Sequence, residues 1–356
     1  MSERLEIMRT RKCTLPVVLT GIILLAAQCA LGGDLRISTL GNQRIALVDE
    51  AGRINPYDFG RNPAYLAGDF EYSWMRFVFG LEEESGELKR EYDPLLVNNL
   101  YVGFDGVRQL SENQVVSAEF RYTRLWQREM YHSLELDQYN DPFYLTDLTT
   151  GDFEYYGPST KVDYGLRIGE RLYIGAGFDY DISTGLKQEY TRPEIVHNYF
   201  RGNFGLIYEA ADGWLLGLVA RPVRLQNRTK FEKTEEGFDN IFYSYSGDGI
   251  YELHSVSSYQ ITELLYGVDL GAQSFFMTDR FQAGALFNYT FEQNELQYKV
   301  TNRELRGFWQ DEAYDLKLRA RYTPEGLPLT MGVSARYMDR EGWAKRPEFD
   351  EVLLYE

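Results

Sequence analysis

Cysteine and histidine are nearly missing from this chain. Two cysteines, Cys13 and Cys29, and three histidines, His132, His197 and His254, are all that its 356 residues contain. Both cysteines lie within the first 32 residues, so the remainder offers no disulfide, no thiolate nucleophile and no cysteine metal ligand. Excess positive charge is missing too. The formal charge is −17, and because residues 1–32 hold four basic and two acidic side chains, the rest carries −19. That balance argues against nucleic acid as a partner. After residue 32 no helical apolar run approaches the ~20 residues that cross a bilayer. There is no Gly-Lys-Ser/Thr phosphate loop, and stretches such as Gly175-Ala176-Gly177 fall inside strand-like segments. No cofactor is expected, and enzymatic function is not.

The first 32 residues read as a cleaved export signal. Arg9, Arg11 and Lys12 form a basic region, residues 15–27 are apolar, and Ala30-Leu31-Gly32 supplies the small residues of a cleavage site. The apolar run is short for a membrane anchor. A lipid anchor on Cys29 is disfavoured because Gln28 stands where a small residue is wanted.

What the chain does have is aromatic residues and glycine: 28 Tyr, 21 Phe and 32 Gly. They sit in a strict alternation. Leu172, Ile174, Ala176, Phe178 and Tyr180 oppose Tyr173, Gly175, Gly177, Asp179 and Asp181, and residues 281–292 and 314–322 repeat the pattern. A period of two over nine or more residues is strand. Strands are expected at about 69–81, 97–107, 114–129, 160–168, 171–182, 198–208, 214–225, 261–275, 280–292, 313–322 and 327–338, with a last one starting near Phe349. Such lengths suit tilted membrane strands of about 9–11 residues. Short turn-like links alternate with long polar links near 82–94, 130–158, 183–196, 226–258, 293–311 and 339–348. The reading is therefore all-β: an antiparallel transmembrane up-and-down β-barrel in the outer membrane of a Gram-negative-type bacterium, with outer-membrane lipid against its apolar face. The domain plan is a signal at 1–32, an N-terminal segment at 33–68 and the barrel at 69–356. About twelve strands are visible, and the short final segment leaves two readings open: a twelve-stranded barrel or an incomplete piece of a larger one.

Chemistry-bearing residues are few. His132-Ser133 and His254-Ser255 pair suitable residue types, but neighbours along a strand face opposite ways, so neither pair is a dyad. Asp137, Asp141, Asp147 and Asp152 share one long link, and Glu232, Glu235, Glu236 and Asp239 another, without the ligand spacing of a cation site. No metal site is expected. With apolar faces outward, Lys317, Arg319, Arg321 and Arg336 point inward from one sector, and Glu119, Asp163, Asp179 and Asp181 from another. Opposed patches of this kind would set a transverse field across a pore. The other reading is a polar interior in which these charges pair or touch a plug.

Ahead of the first strand stand two Asn-Pro steps, Asn55-Pro56 and Asn62-Pro63, the second continuing into Ala64. A polar segment carrying Asn-Pro-Ala before strand one resembles the FadL-type outer-membrane transporters of hydrophobic compounds. The resemblance covers roughly residues 41–68 and the general barrel pattern. It implies that Asn62, Pro63 and Ala64 belong to a hatch folded into the lumen, and that the barrel has fourteen strands. The glycine-rich lead-in of that family is replaced here by residues 42–50, and its ligand pocket has no residue-by-residue match. A plain turn leading into strand one is the alternative reading of Asn62-Pro63-Ala64.

Two functions follow from different classes. One is a channel or transporter for a small hydrophobic or polar solute. The other is a non-transporting surface-binding or assembly protein acting through its long acidic loops.

Overall fold

A computed structural model describes residues 56–69, 73–86, 93–133, 144–187, 192–232, 240–245, 251–256, 258–299, 303–325 and 331–345. The signal, Asn55 and the segment after Phe349 lie outside the described residues. The chain opens with a short helix α1 (Pro56–Gly60), a 3-10 turn (Pro63–Tyr65) and a last helical turn α2 (Leu66–Asp69). Thirteen strands follow: β1 (Trp74–Ser85), β2 (Leu96–Ser111), β3 (Gln114–Ser133), β4 (Tyr144–Ile168), β5 (Leu172–Lys187), β6 (Glu194–Ala211), β7 (Trp214–Glu232), β8 (Asn240–Tyr245), β9 (Tyr251–Val256), β10 (Ser258–Met277), β11 (Phe281–Lys299), β12 (Arg303–Tyr322) and β13 (Met331–Lys345).

Eleven strands form one antiparallel meander in the order β1-β2-β3-β4-β5-β6-β7-β10-β11-β12-β13. Each of the eleven complete strands expected from alternation is present. Most run further into the long links than expected, and in β4 the added residues 144–159 are rich in Tyr and Thr, which favour strands. β4 starts at Tyr144, inside the link expected at 130–158, and the link expected at 226–258 contains the hairpin β8–β9. That hairpin leaves the meander, and β8 pairs with the outer end of β4 through Tyr144↔Tyr245, Leu145↔Ser244 and Thr146↔Tyr243.

The sheet is curled. Neighbouring strands lie about 4.8 Å apart, so β3 and β12 would stand over 30 Å apart in a flat sheet. Yet Met130 of β3 and Trp309 of β12 belong to one buried cluster. The wall bends around α1, the 3-10 turn and α2, which touch strands from β3 to β11. Its outer face is apolar and exposed: Phe77, Leu218 and Val333 are 76%, 60% and 67% accessible, and Phe204, Leu270, Phe287 and Leu318 continue the belt between them. An apolar surface of that extent marks a face that something other than water covers.

No pairing joins β1 to β13 among the described residues. Both strands run from the short-turn end towards the long-link end, so antiparallel closure between them needs an odd number of intervening strands. Added to eleven, this gives the even total usual for such barrels.

Candidate functional site: the plug and the lumen face

Asn62 organises the segment. Its side-chain Oδ1 accepts the Ala64 amide at 3.1 Å and so caps the 3-10 turn, whose first residue is Pro63. Proline is suited to that position because its missing N–H would have no partner there. Arg61, just before, adopts a left-handed φ of 48°, which turns the chain sharply between α1 and the cap. The Asn62 amide then donates outward to three strands: Leu206 O at 3.4 Å, Leu218 O at 3.2 Å and Gln273 Oε1 at 3.1 Å. Asn62 is fully buried, as is Ala64. A buried amide with its hydrogen-bonding groups matched to a distant wall is a docking element, more than a turn requires.

The wall is shaped to receive it. Gly165, Gly175 and Gly205 stand side by side on β4, β5 and β6. A β-carbon at Gly175 would come within 2.3 Å of the Ala64 amide nitrogen, and one at Gly205 within 1.9 Å of Asn62 Oδ1. The three glycines form a saddle in which the backbone of residues 62–64 lies directly on the sheet.

Polar and apolar contacts extend the seat. Gly60 O accepts from Gln273 Nε2 at 3.0 Å and from Arg221 Nη2 at 3.1 Å, and Arg221 is paired with Asp269 at 3.3 Å. Tyr57 donates its hydroxyl to Asp163 Oδ2 at 2.7 Å, while Asn203 holds the other carboxylate oxygen at 3.2 Å. Phe59 meets Phe275 edge-on at 5.9 Å, and Leu66 packs with Val107 and Val115. Burying a leucine side chain of this kind contributes about 1.5–3 kcal/mol. Pro56 opens α1.

All eight candidate lumen charges lie on the face that carries the plug, as the register from Asp163 and Gly175 through Asn288 to Asp315 requires. Their arrangement differs from two opposed patches. Lys317 and Arg336 both bind Asp315, at 3.1 and 2.8 Å. Asp179 pairs with Arg201, Glu119 with Arg121 at 3.1 Å, and Asp163 with Lys161 at 3.5 Å. Five of the eight find an opposite charge on their own or the adjacent strand, because desolvating an unpaired ion is costly. This local pairing cancels most of a transverse field. Asp181, Arg319 and Arg321 have no ion pair among the described residues.

Further towards the long links the interior changes character. His197, Asn227, Glu263 and Asn294 form a hydrogen-bonded ladder over four consecutive strands. Beyond it Phe153, Tyr155, Ile261, Leu296, Tyr298 and Trp309 make a buried apolar layer, joined by Phe242 of the β8–β9 hairpin. The ring of His254 stacks on Phe242 at 4.8 Å and lies edge-on to Tyr298 at 5.9 Å, while its Nε2 is 2.8 Å from Ser244 Oγ. The hairpin thus reaches from β11 to β4 across the long-link end. His254 partners Ser244, not its sequence neighbour Ser255. The side chain of His132 is outside the described residues.

The sequence reading did not anticipate the saddle glycines or Gln273, Arg221, Asn203 and Tyr57. Their only signal was glycine on the polar face of adjacent strands. Among the described residues no group of His, Asp or Glu is arranged to hold a metal ion.

Fold and site together define an antiparallel up-and-down β-wall, apolar on its outer face, with an N-terminal segment docked on its polar inner face. The chain matches, over residues 63–352, the family described as "Family of unknown function (DUF6850)", and it belongs to that family. No curated protein matches it. Among solved structures it is similar to the Pseudomonas putida toluene transporter TodX, with 10% identity, 81% of this chain and 93% of that chain covered, and a TM-score of 0.29. It is likewise similar to the TodX deltaS2S3 mutant monoaromatic hydrocarbon channel, at 10% identity, with 80% and 93% covered and a TM-score of 0.30.

Proposed function

We propose that this protein is an outer-membrane channel or transporter for small or hydrophobic solutes, its lumen closed at the short-turn end by residues 56–69. The observation that carries this reading is the seat of Asn62: a fully buried amide bonded to β6, β7 and β10 above a glycine saddle. A structural turn into strand one has no need of a wall cut to its backbone. The layers beyond it support passage of a solute with an apolar part, since a polar middle zone is followed by an aromatic-lined layer under a hairpin. The exposed apolar outer belt supports the membrane location.

The test is conductance of the full chain in planar bilayers, beside a variant lacking residues 33–68. Small or gated currents in the full chain and larger steady ones in the deletion are expected. Equal conductance in both would rule out a plug, and no conductance in either would favour a surface-binding protein.

A further inference from the structure

The ladder between plug and apolar layer has an unusual donor balance. Asn227 Nδ2 donates to Glu263 Oε2 at 2.6 Å and Asn294 Nδ2 to Glu263 Oε1 at 2.9 Å. A carboxylate only accepts, so both amides must turn their NH2 groups towards it. Asn227 Oδ1 therefore faces His197 Nδ1, 2.6 Å away, and that nitrogen must carry the proton. Neutral His197 is then the Nδ1–H tautomer, with Nε2 left as an acceptor. Asn294 is 4% exposed, and its Oδ1 has no partner among the described residues. Neither Glu263 nor Asp181, one strand beyond His197, has a Lys or Arg partner among them, whereas their neighbours Asp179 and Asp269 do, and His197 is the basic side chain that acts on both. Apart from the second N–H of each Asn side chain, the capacities the ladder leaves unused are those of acceptors: the spare lone pairs of Glu263, Asn294 Oδ1, His197 Nε2 and the Asp181 carboxylate.

The residues on its long-link side are mainly apolar. Ile261 and Leu296 are the next inward side chains above Glu263 and Asn294, and Trp309 is the cross-strand partner of Asn294. An anionic head would meet two carboxylates here, and a neutral one would leave a buried charge uncompensated.

We infer that this ladder is the head-group subsite of the lumen and takes the ammonium group of an amphipathic amine, with Glu263 as counter-ion, Asn294 Oδ1 as second acceptor and the Trp309 layer holding the apolar part. The inference rests on the reading of the lumen as a solute path. It names the class of solute that path selects: cationic, with an apolar body.

Binding of benzylammonium, benzyl alcohol and benzoate to the full chain in nanodiscs tests it by calorimetry. Benzylammonium should bind more tightly than the alcohol by at least about tenfold, as expected for hydrogen bonds to a charged group, with benzoate weakest. Glu263→Gln should erase that preference, and Asn294→Leu should reduce it. Native-like heat-modifiable mobility shows that each variant is folded, and if Glu263→Gln fails this criterion, Asn294→Leu decides. Equal binding of amine and alcohol overturns the inference, as does an unchanged preference in the folded variants. Binding and conductance separate the two readings: a chain that discriminates amines but passes no current retains the subsite and loses the transport function, and the converse result does the opposite.

Discussion

Asn62 donates to Gln273 Oε1 at 3.1 Å, joining residues 211 positions apart. Gln273 in turn donates to Gly60 O, so one glutamine on β10 clasps the plug on both sides of Arg61. Asn62→Ala should remove this clasp and the bonds to Leu206 and Leu218. The expected cost is about 1–3 kcal/mol of docking free energy, the penalty of leaving buried partners unmet. Single-channel recording should then show longer open times, and Gln273→Ala should add little in the double variant because both act on one contact. Full additivity would show that the two residues hold the plug independently.

The glycine saddle makes a sharper demand. Gly175→Val places a side chain where the Ala64 backbone lies, so the plug should leave its seat while the wall remains paired. Limited proteolysis should cut the plug around residues 56–69 in the variant and spare it in the parent chain. Gly86→Ala is the control, since nothing lies within 4 Å of a β-carbon there. Equal protection in both variants would mean that the saddle does not position the plug.

Local pairing separates charges that set selectivity from charges that do not. Arg319 and Arg321 lack ion pairs among the described residues, so Arg319→Gln/Arg321→Gln should move the reversal potential towards cation selectivity under a salt gradient. Replacing a neutral pair, Arg201→Gln with Asp179→Asn, should leave it nearly unchanged. If both double variants shifted selectivity alike, the pairing would carry no consequence for the pore.

The β8–β9 hairpin can be locked. Thr146 and Tyr243 are cross-strand partners, a spacing that suits a disulfide. Cys13 and Cys29 both precede residue 33, so Thr146→Cys/Tyr243→Cys adds the sole cysteine pair beyond it. Flux of an apolar solute should fall on oxidation and recover with dithiothreitol. Redox-independent flux would show that the hairpin lies off the path.

The eleven wall strands were readable because period-two alternation records which face is apolar, and both faces of each strand must suit different surroundings at once. The inward direction of Asp163, Asp179 and Arg319 followed from the same parity. The hairpin β8–β9 escaped notice because its two strands of six residues each are too short for periodicity to stand out, and residues 246–250 between them continue the polar composition of the long links. The partners of the inward charges were also hidden. Asp315 neutralises Arg336 across β12 and β13 through a register that alternation leaves open by any even number of residues.

Alternation and composition by themselves determined an antiparallel β-protein with an apolar outer face and a polar inner one, since those properties depend on side-chain type and parity alone. Only the tertiary structure decided that Gly165, Gly175 and Gly205 meet in one row, that Asn62 lies upon them, and that His197, Asn227, Glu263 and Asn294 join across four strands. Those are matters of strand register and sheet curvature, fixed by backbone hydrogen bonds between segments far apart in the chain.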